Sequence, residues 1–163
     1  MNKKLIISII LTLLCMLLIF SFSNETQKKS DGLSKGLINN CIVTYEKITG
    51  NDVNNKKLVL KLNTPVRKTA HFTLYFILSF LIYNIIKFTG IKYKEMITIS
   101  ICFIYALSDE FHQVFINGRA GEFRDVFIDS CGAMFLILIC IFIKIIKRYG
   151  VVINSERKVN KVG

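Results

Sequence analysis

Residues 96–115 read MITISICFIYALSDEFHQVF, and the last seven of them decide the fold. The segment is apolar only from Met96 to Leu107, twelve residues. As a helix that is about 18 Å, short of the roughly 30 Å hydrocarbon core of a bilayer. It reaches spanning length only if Asp109, Glu110, His112 and Gln113 carry the helix on to about Phe115, which puts these polar groups at the membrane edge. On this reading the chain is an all-α, multi-span membrane protein with four transmembrane helices.

The flanking segments are read outward from this one. Asn117-Gly118 supplies a tight turn, and a further span runs from about Phe123 to Ile146, with Asp129 a little over one turn inside it. Upstream, Thr64-Pro65 reads as the N-cap and first helical residue of a span through Thr69 to Ile86, ending before Lys87. The block Leu5–Phe22 follows Met-Asn-Lys-Lys. Ser21-Phe22-Ser23 resembles a cleavage site, but the block exceeds a usual signal-peptide core and further spans follow, so it is expected to be an uncleaved anchor. Between the first two spans the chain is polar and basic. Leu33, Leu37, Cys41, Tyr45 and Ile48 recur there at helical spacing, which predicts an amphipathic helix from roughly Ser34 to Thr49, its apolar stripe on the membrane surface or the bundle. Gly50-Asn51-Asp52 should stop it, and Asn54-Asn55-Lys56-Lys57 reads as loop. The expected organisation is an anchor (1–22), a basic loop with the amphipathic helix (23–64), a three-helix core (65–146) and a loosely ordered basic tail (147–163).

Composition agrees with that pattern. The 163 residues are 52% hydrophobic with one proline, the mean hydropathy is +0.47, and the apolar residues are gathered in blocks, which excludes a soluble globular enzyme. The net charge of +11 favours anionic partners such as phospholipid headgroups. The basic residues are scattered and no soluble reader domain is present, so nucleic acid is not an expected partner. Four of the five cysteines lie in apolar runs and there is neither a CxxC nor a Cys/His metal spacing, which argues against a disulfide framework. Lysine and arginine near the span ends, once Arg67, Lys68, Arg119 and Arg124 are set apart as functional, favour both termini in the cytoplasm.

The topology brings the start of the second span, the end of the third and the start of the fourth to one face. That face collects Arg67, Lys68, His71 and Tyr75; Asp109, Glu110, His112 and Gln113; Arg119; and Arg124, Asp125 and Asp129. Within each helix the spacing is coherent: Lys68, His71 and Tyr75, then Asp109, His112 and Gln113, then Asp125, Asp129 and Gly132 each form a stripe. Charges at this depth cost about 2.5–3.5 kcal/mol each when facing lipid, so they should point inward and pair. Arg67 and Lys68 occupy a first helical turn, where the dipole disfavours cations. Three readings follow: a self-neutralised salt-bridge cap, a pocket for an anionic headgroup, or a catalytic site. Asp109-Glu110-Phe111-His112 lacks the His-Glu-x-x-His ligand spacing, and no metal set is singled out, although His71, His112 and a carboxylate remain a geometric option. General acid–base work by His71 with Asp109 or Glu110 is equally open.

The run SDEFHQVFINGRAGEFRDVFIDSCGA from Ser108 to Ala133, together with Arg67-Lys68-Thr69-Ala70-His71-Phe72, resembles the VanZ-like family of bacterial membrane proteins. The resemblance extends to Phe22-Ser23 and the Ser30-x-Gly-Leu-Ser34 segment. It carries the family pattern onto Arg67, Lys68, His71, Tyr75, Asp109, Glu110, Gln113, Arg119, Asp125, Asp129 and Gly132. Leu74 stands where many relatives have Glu, Leu136 where a small residue is frequent, and some relatives have Asn in place of Asp129. The resemblance implies a bacterial cell-envelope membrane protein linked to low-level resistance to teicoplanin and other lipoglycopeptides, and it supplies no reaction or cofactor. The expected partners are membrane lipids, with an anionic lipid or wall precursor at the polar face. The alternative is an intramembrane enzyme modifying such a molecule.

Overall fold

A 35-residue helix organises the molecule. In the computed structural model, which describes residues 3–51 and 55–159, it is α3 (Asn55–Thr89), preceded by α1 (Lys3–Ser23) and α2 (Gln27–Thr49) and followed by α4 (Lys94–Gln113) and α5 (Phe123–Val159). The described residues are all-α. Helix α3 packs against each of the other four, and α4 also packs against α5 and α1. The central core joins Ile19 of α1, Tyr75, Leu78, Ile82 and Ile86 of α3, Cys102 and Ala106 of α4, and Val126 and Ala133 of α5.

Among the described residues, three helices are long and apolar enough to cross a membrane: Lys3–Ser23, Lys56–Thr89 and Phe123–Gly150. Their outward surfaces suit lipid; Ile7, Leu13, Leu14 and Leu17 of α1 and Leu138 and Phe142 of α5 are all exposed. Helix α4 has the length, 20 residues, but its last turns carry Asp109, Glu110, His112 and Gln113. Its burial runs opposite to that of a soluble helix. Thr98, Asp109, Glu110 and Gln113 face inward with Cys102 and Ala106, while Met96, Ile104 and Phe111 are exposed.

Several expectations are corrected. Thr64-Pro65 does not start a helix: α3 begins at Asn55, and Pro65 lies inside it. Proline has no N–H to give to the Lys61 carbonyl, a defect of about 3 kcal/mol in a helix interior. Tertiary burial offsets it, because Val59 packs with Ile38 and Ile42 of α2, flanked by Leu58, Leu62 and Val66; each fully buried aliphatic side chain contributes about 1.5–3 kcal/mol. The same packing turns Asn55-Lys56-Lys57 from expected loop into helix, while Asp52 and Asn54 lie outside the described residues. Helix α2 ends as expected on Gly50, whose φ of +69° and N–H bond to the Glu46 carbonyl form a left-handed cap. It starts earlier than Ser34, however, and it buries Ser34, Ile38 and Ile42, leaving Leu33, Leu37, Tyr45 and Ile48 exposed. Of the two places expected for the Leu33, Leu37, Tyr45 and Ile48 stripe, the bundle is thus taken by the neighbouring stripe, and this one faces outward. The tail, expected to be loosely ordered, continues α5 as helix through Val159.

Candidate functional site

The end of α1, the middle of α3, the end of α4 and the start of α5 meet at one rim, and ten of the twelve polar residues anticipated there come together. Asp109 is 4% exposed. Its Oδ2 accepts hydrogen bonds from Ser23 Oγ at 2.6 Å and from Gln113 Nε2 at 3.2 Å, and the Gln113 amide also reaches Ser23 Oγ at 3.0 Å. Gln113 Oε1 in turn accepts from Arg119 Nη1 at 2.8 Å, and Arg119 Nη2 donates to the Phe22 carbonyl at 3.0 Å. One network therefore ties the α4–α5 turn to the end of α1. The turn is shaped by Gly118, whose φ of +81° few other residues adopt. Burial pulls the pKa of Arg119 below the ordinary guanidinium value and neighbouring Arg67 adds to this, opposed by Asp109, Glu110 and Glu25.

Lys68 and Arg67 find carboxylates. Lys68 pairs with Asp125 and lies 3.7 Å from Glu122. Arg67 stands 3.7 Å from Asp31, which accepts a 3.0 Å bond from the Asn63 amide. Glu110 has a local duty, since its Oε1 accepts the backbone N–H of Glu122 at 2.6 Å and so caps the start of α5 from a different helix. Because α3 begins at Asn55, Arg67 and Lys68 lie well inside the helix and not in the first turn expected for them; the protein's own acids supply the countercharge that cations at a membrane edge require.

His71, Asp109 and Asp129 form a second group. His71 Nδ1 is 3.7 Å from Asp129 Oδ2, and one ligand atom of each of the three residues lies within 4.8 Å of the others. Asp129 is 3% exposed and Tyr75, one turn beyond His71, is fully buried. Among the described residues, the Tyr75 hydroxyl, Asp109 Oδ1 and Asp129 Oδ1 have no hydrogen-bond partner. The approach of α5 to α3 is made possible by Gly132, one turn from Asp129, because a Cβ there would collide with the Phe72 carbonyl.

A cleft with about 20 Å³ of interior, room for one or two waters, opens onto Arg67, Lys68, His71, Glu110, Gln113, Arg119, Asp125 and Asp129. A separate apolar groove of about 130 Å³ is walled by Phe22, Leu33, Leu37, Val66, Ala70 and Leu74, and shares Arg67 and His71 with the polar cleft. Two residues of the expected face lie outside the cluster: Arg124 is exposed, and His112 stacks on Phe20 with ring centroids 4.7 Å apart.

Ser23 and Asp31 belong to the network but escape the sequence reading as site residues. Ser23 is the hydroxyl that ends an apolar helix at the polar rim, and Asp31 is an acid in a basic segment; both signals are present and weak.

Comparison with curated proteins finds no match, and comparison with solved structures finds none. The family model described as VanZ/LLP1 matches residues 8–144, which include every residue of the cluster, and the chain belongs to that family.

Proposed function

We propose that this VanZ/LLP1-family protein sits in the bacterial cell membrane, crosses it four times with both termini in the cytoplasm, and contributes to teicoplanin-type resistance by binding an anionic lipid or lipid-linked wall precursor at its polar rim. Support for α4 as the fourth span comes from its inverted pattern, with polar residues buried and Met96, Ile104 and Phe111 outward, since charged groups in a bilayer face the bundle and apolar ones the lipid. Support for the orientation comes from Lys3, Lys4, Lys87, Lys92 and Lys144 near the opposite ends of the spans.

The observation that carries the binding reading is the wall shared by the polar cleft and the apolar groove. Arg67 and His71 border both, so an amphiphile can lay a chain along Leu33, Leu37 and Leu74 while its anionic head meets Arg67. The 3.7 Å pair with Asp31 leaves that guanidinium short of a tight hydrogen bond. The test expresses the full chain in a teicoplanin-susceptible bacterial host and compares it with Arg67→Gln at equal membrane abundance. Loss of the resistance gained with the native chain is expected; retained resistance in Arg67→Gln refutes the reading. A second reading, an intramembrane enzyme acting on a lipid or wall intermediate, draws on the convergence of His71 with Asp109 and Asp129. Its separate signature is a changed lipid or precursor profile on deletion.

A further inference from the structure

We propose that His71, Asp109 and Asp129 together bind one divalent metal ion of the Zn²⁺ or Mn²⁺ class. The three donors come from α3, α4 and α5, and their ligand atoms lie within 4.8 Å of one another. An ion held at about 2.1 Å by each donor needs ligand atoms roughly 3.0–3.5 Å apart. The 3.7 Å between His71 Nδ1 and Asp129 Oδ2 is already near that spacing and too long for a hydrogen bond. Small side-chain rotations complete the set.

Proximity alone is weak, because acids cluster without ions; the unpartnered atoms add an independent reason. Asp109 is 4% and Asp129 3% exposed, yet one oxygen of each has no partner, and neither does the hydroxyl of fully buried Tyr75. Asp109 and Asp129 are among the electrostatic neighbours of that hydroxyl. Buried polar atoms are nearly always satisfied, and two carboxylates around one imidazole carry the charge that a divalent cation cancels. The supporting geometry is of the kind metal sites use: Ser23 and Gln113 hold Asp109 by Oδ2 from behind, leaving Oδ1 as the free oxygen. His71 and Asp129 open onto the small cleft, whose volume is that of one or two waters and so suffices for a single ion. One imidazole with two carboxylates suits Zn²⁺ or Mn²⁺ better than Ca²⁺ and Mg²⁺, which prefer all-oxygen sets, or Cu⁺, which prefers sulfur. The inference is independent of lipid binding, so either can fail while the other stands.

The test uses the full chain purified in detergent and stripped with a chelator. Equilibrium dialysis against Zn²⁺, and separately Mn²⁺, measures the bound metal, and Co²⁺ loading gives a visible absorption spectrum. The expected result is saturation near one equivalent per chain. Affinity should fall on the order of 100-fold in Asp109→Asn, Asp129→Asn and His71→Gln, and stay unchanged in Glu95→Gln, whose carboxylate pairs with Lys144. Absence of saturable binding to the native chain overturns the proposal, whatever the stability of the variants. So does binding that both Asn variants leave intact, or a Co²⁺ spectrum identical in the native and His71→Gln proteins.

Discussion

Replacing Gly132 by alanine tests whether a single missing side chain sets the geometry of the polar cluster. A Cβ at this position would lie 3.1 Å from the Phe72 carbonyl carbon and 3.3 Å from its Cα, with the carbonyl oxygen nearer still. Ordinary carbon contacts are about 3.5–4.0 Å. Because the obstacle is backbone, no side chain can swing away, and α5 must retreat from α3 by roughly half an ångström to an ångström. Overpacking of this kind costs about 1–3 kcal/mol, and a protein of this size loses about 2–4 °C of Tm per kcal/mol. His71 and Asp129, now 3.7 Å apart, ride on the two helices being separated. The assay is thermal unfolding of the full chain in detergent, with Gly36→Ala as the internal comparison. Gly36 lies within α2 and nothing would stand within 4 Å of its Cβ, so there alanine should gain about 0.5–1 kcal/mol from the helix backbone. The same substitution thus carries opposite signs in two helices. A Gly132→Ala protein as stable as the native one, or a Gly36→Ala protein that falls with it, refutes the close-packing argument.

Ser23→Ala removes the 2.6 Å donor to Asp109; loss of a bond to a buried charged acceptor should lower stability by about 1.5–3 kcal/mol in the same assay, and an unchanged Tm would remove Ser23 from the network. Glu110→Gln keeps an oxygen for the Glu122 N–H whereas Glu110→Ala does not; the alanine variant should be less stable than the glutamine variant by about 1 kcal/mol, and equality of the two contradicts the capping role. Cysteine probes at Asn117 and Lys92, both exposed and in turns at opposite ends of α4, placed in a chain with its five native cysteines replaced, report orientation. A membrane-impermeant thiol reagent on intact cells should label position 117 and spare 92, and the reverse pattern inverts the topology.

The sequence revealed the polar face because its residues obey two constraints at once: helical spacing within each segment, and topology that returns every second helix end to the same rim. Ser23 obeys neither visibly. A lone hydroxyl after an apolar block has no periodicity, and its meaning appears only when Asp109 and Gln113 arrive from α4. The start of α3 was hidden for a different reason. Thr64-Pro65 carries a strong local start signal, but local signals are worth a few kcal/mol at most and were outweighed by Val59 packing on Ile38 and Ile42 from a helix more than a dozen residues away. Helix α2 shows the limit of periodicity itself: two adjacent stripes are apolar, and only the partner surface on α3 decides that Ile38 and Ile42, not Leu37 and Tyr45, are covered.

The cluster also divides into two halves that a purely structural lock would not distinguish. Lys68 with Asp125 and Glu122, and Glu110 with the start of α5, pair as a helix-register device requires, and Arg119 bonds Gln113 and Phe22 while its Nε has no partner among the described residues. On the other side, Asp109, Asp129 and Tyr75, all buried, each keep an atom without a partner among the described residues. Burying a carboxylate near a bilayer is costly, and leaving one of its oxygens unpaired adds to that cost without adding any grip between helices. Leu74, next to Tyr75 in the chain, supplies no donor and faces the apolar groove. The unpaired carboxylate oxygens add nothing to the grip between helices, and this is the physical reason for placing the proposed metal ion at His71, Asp109 and Asp129.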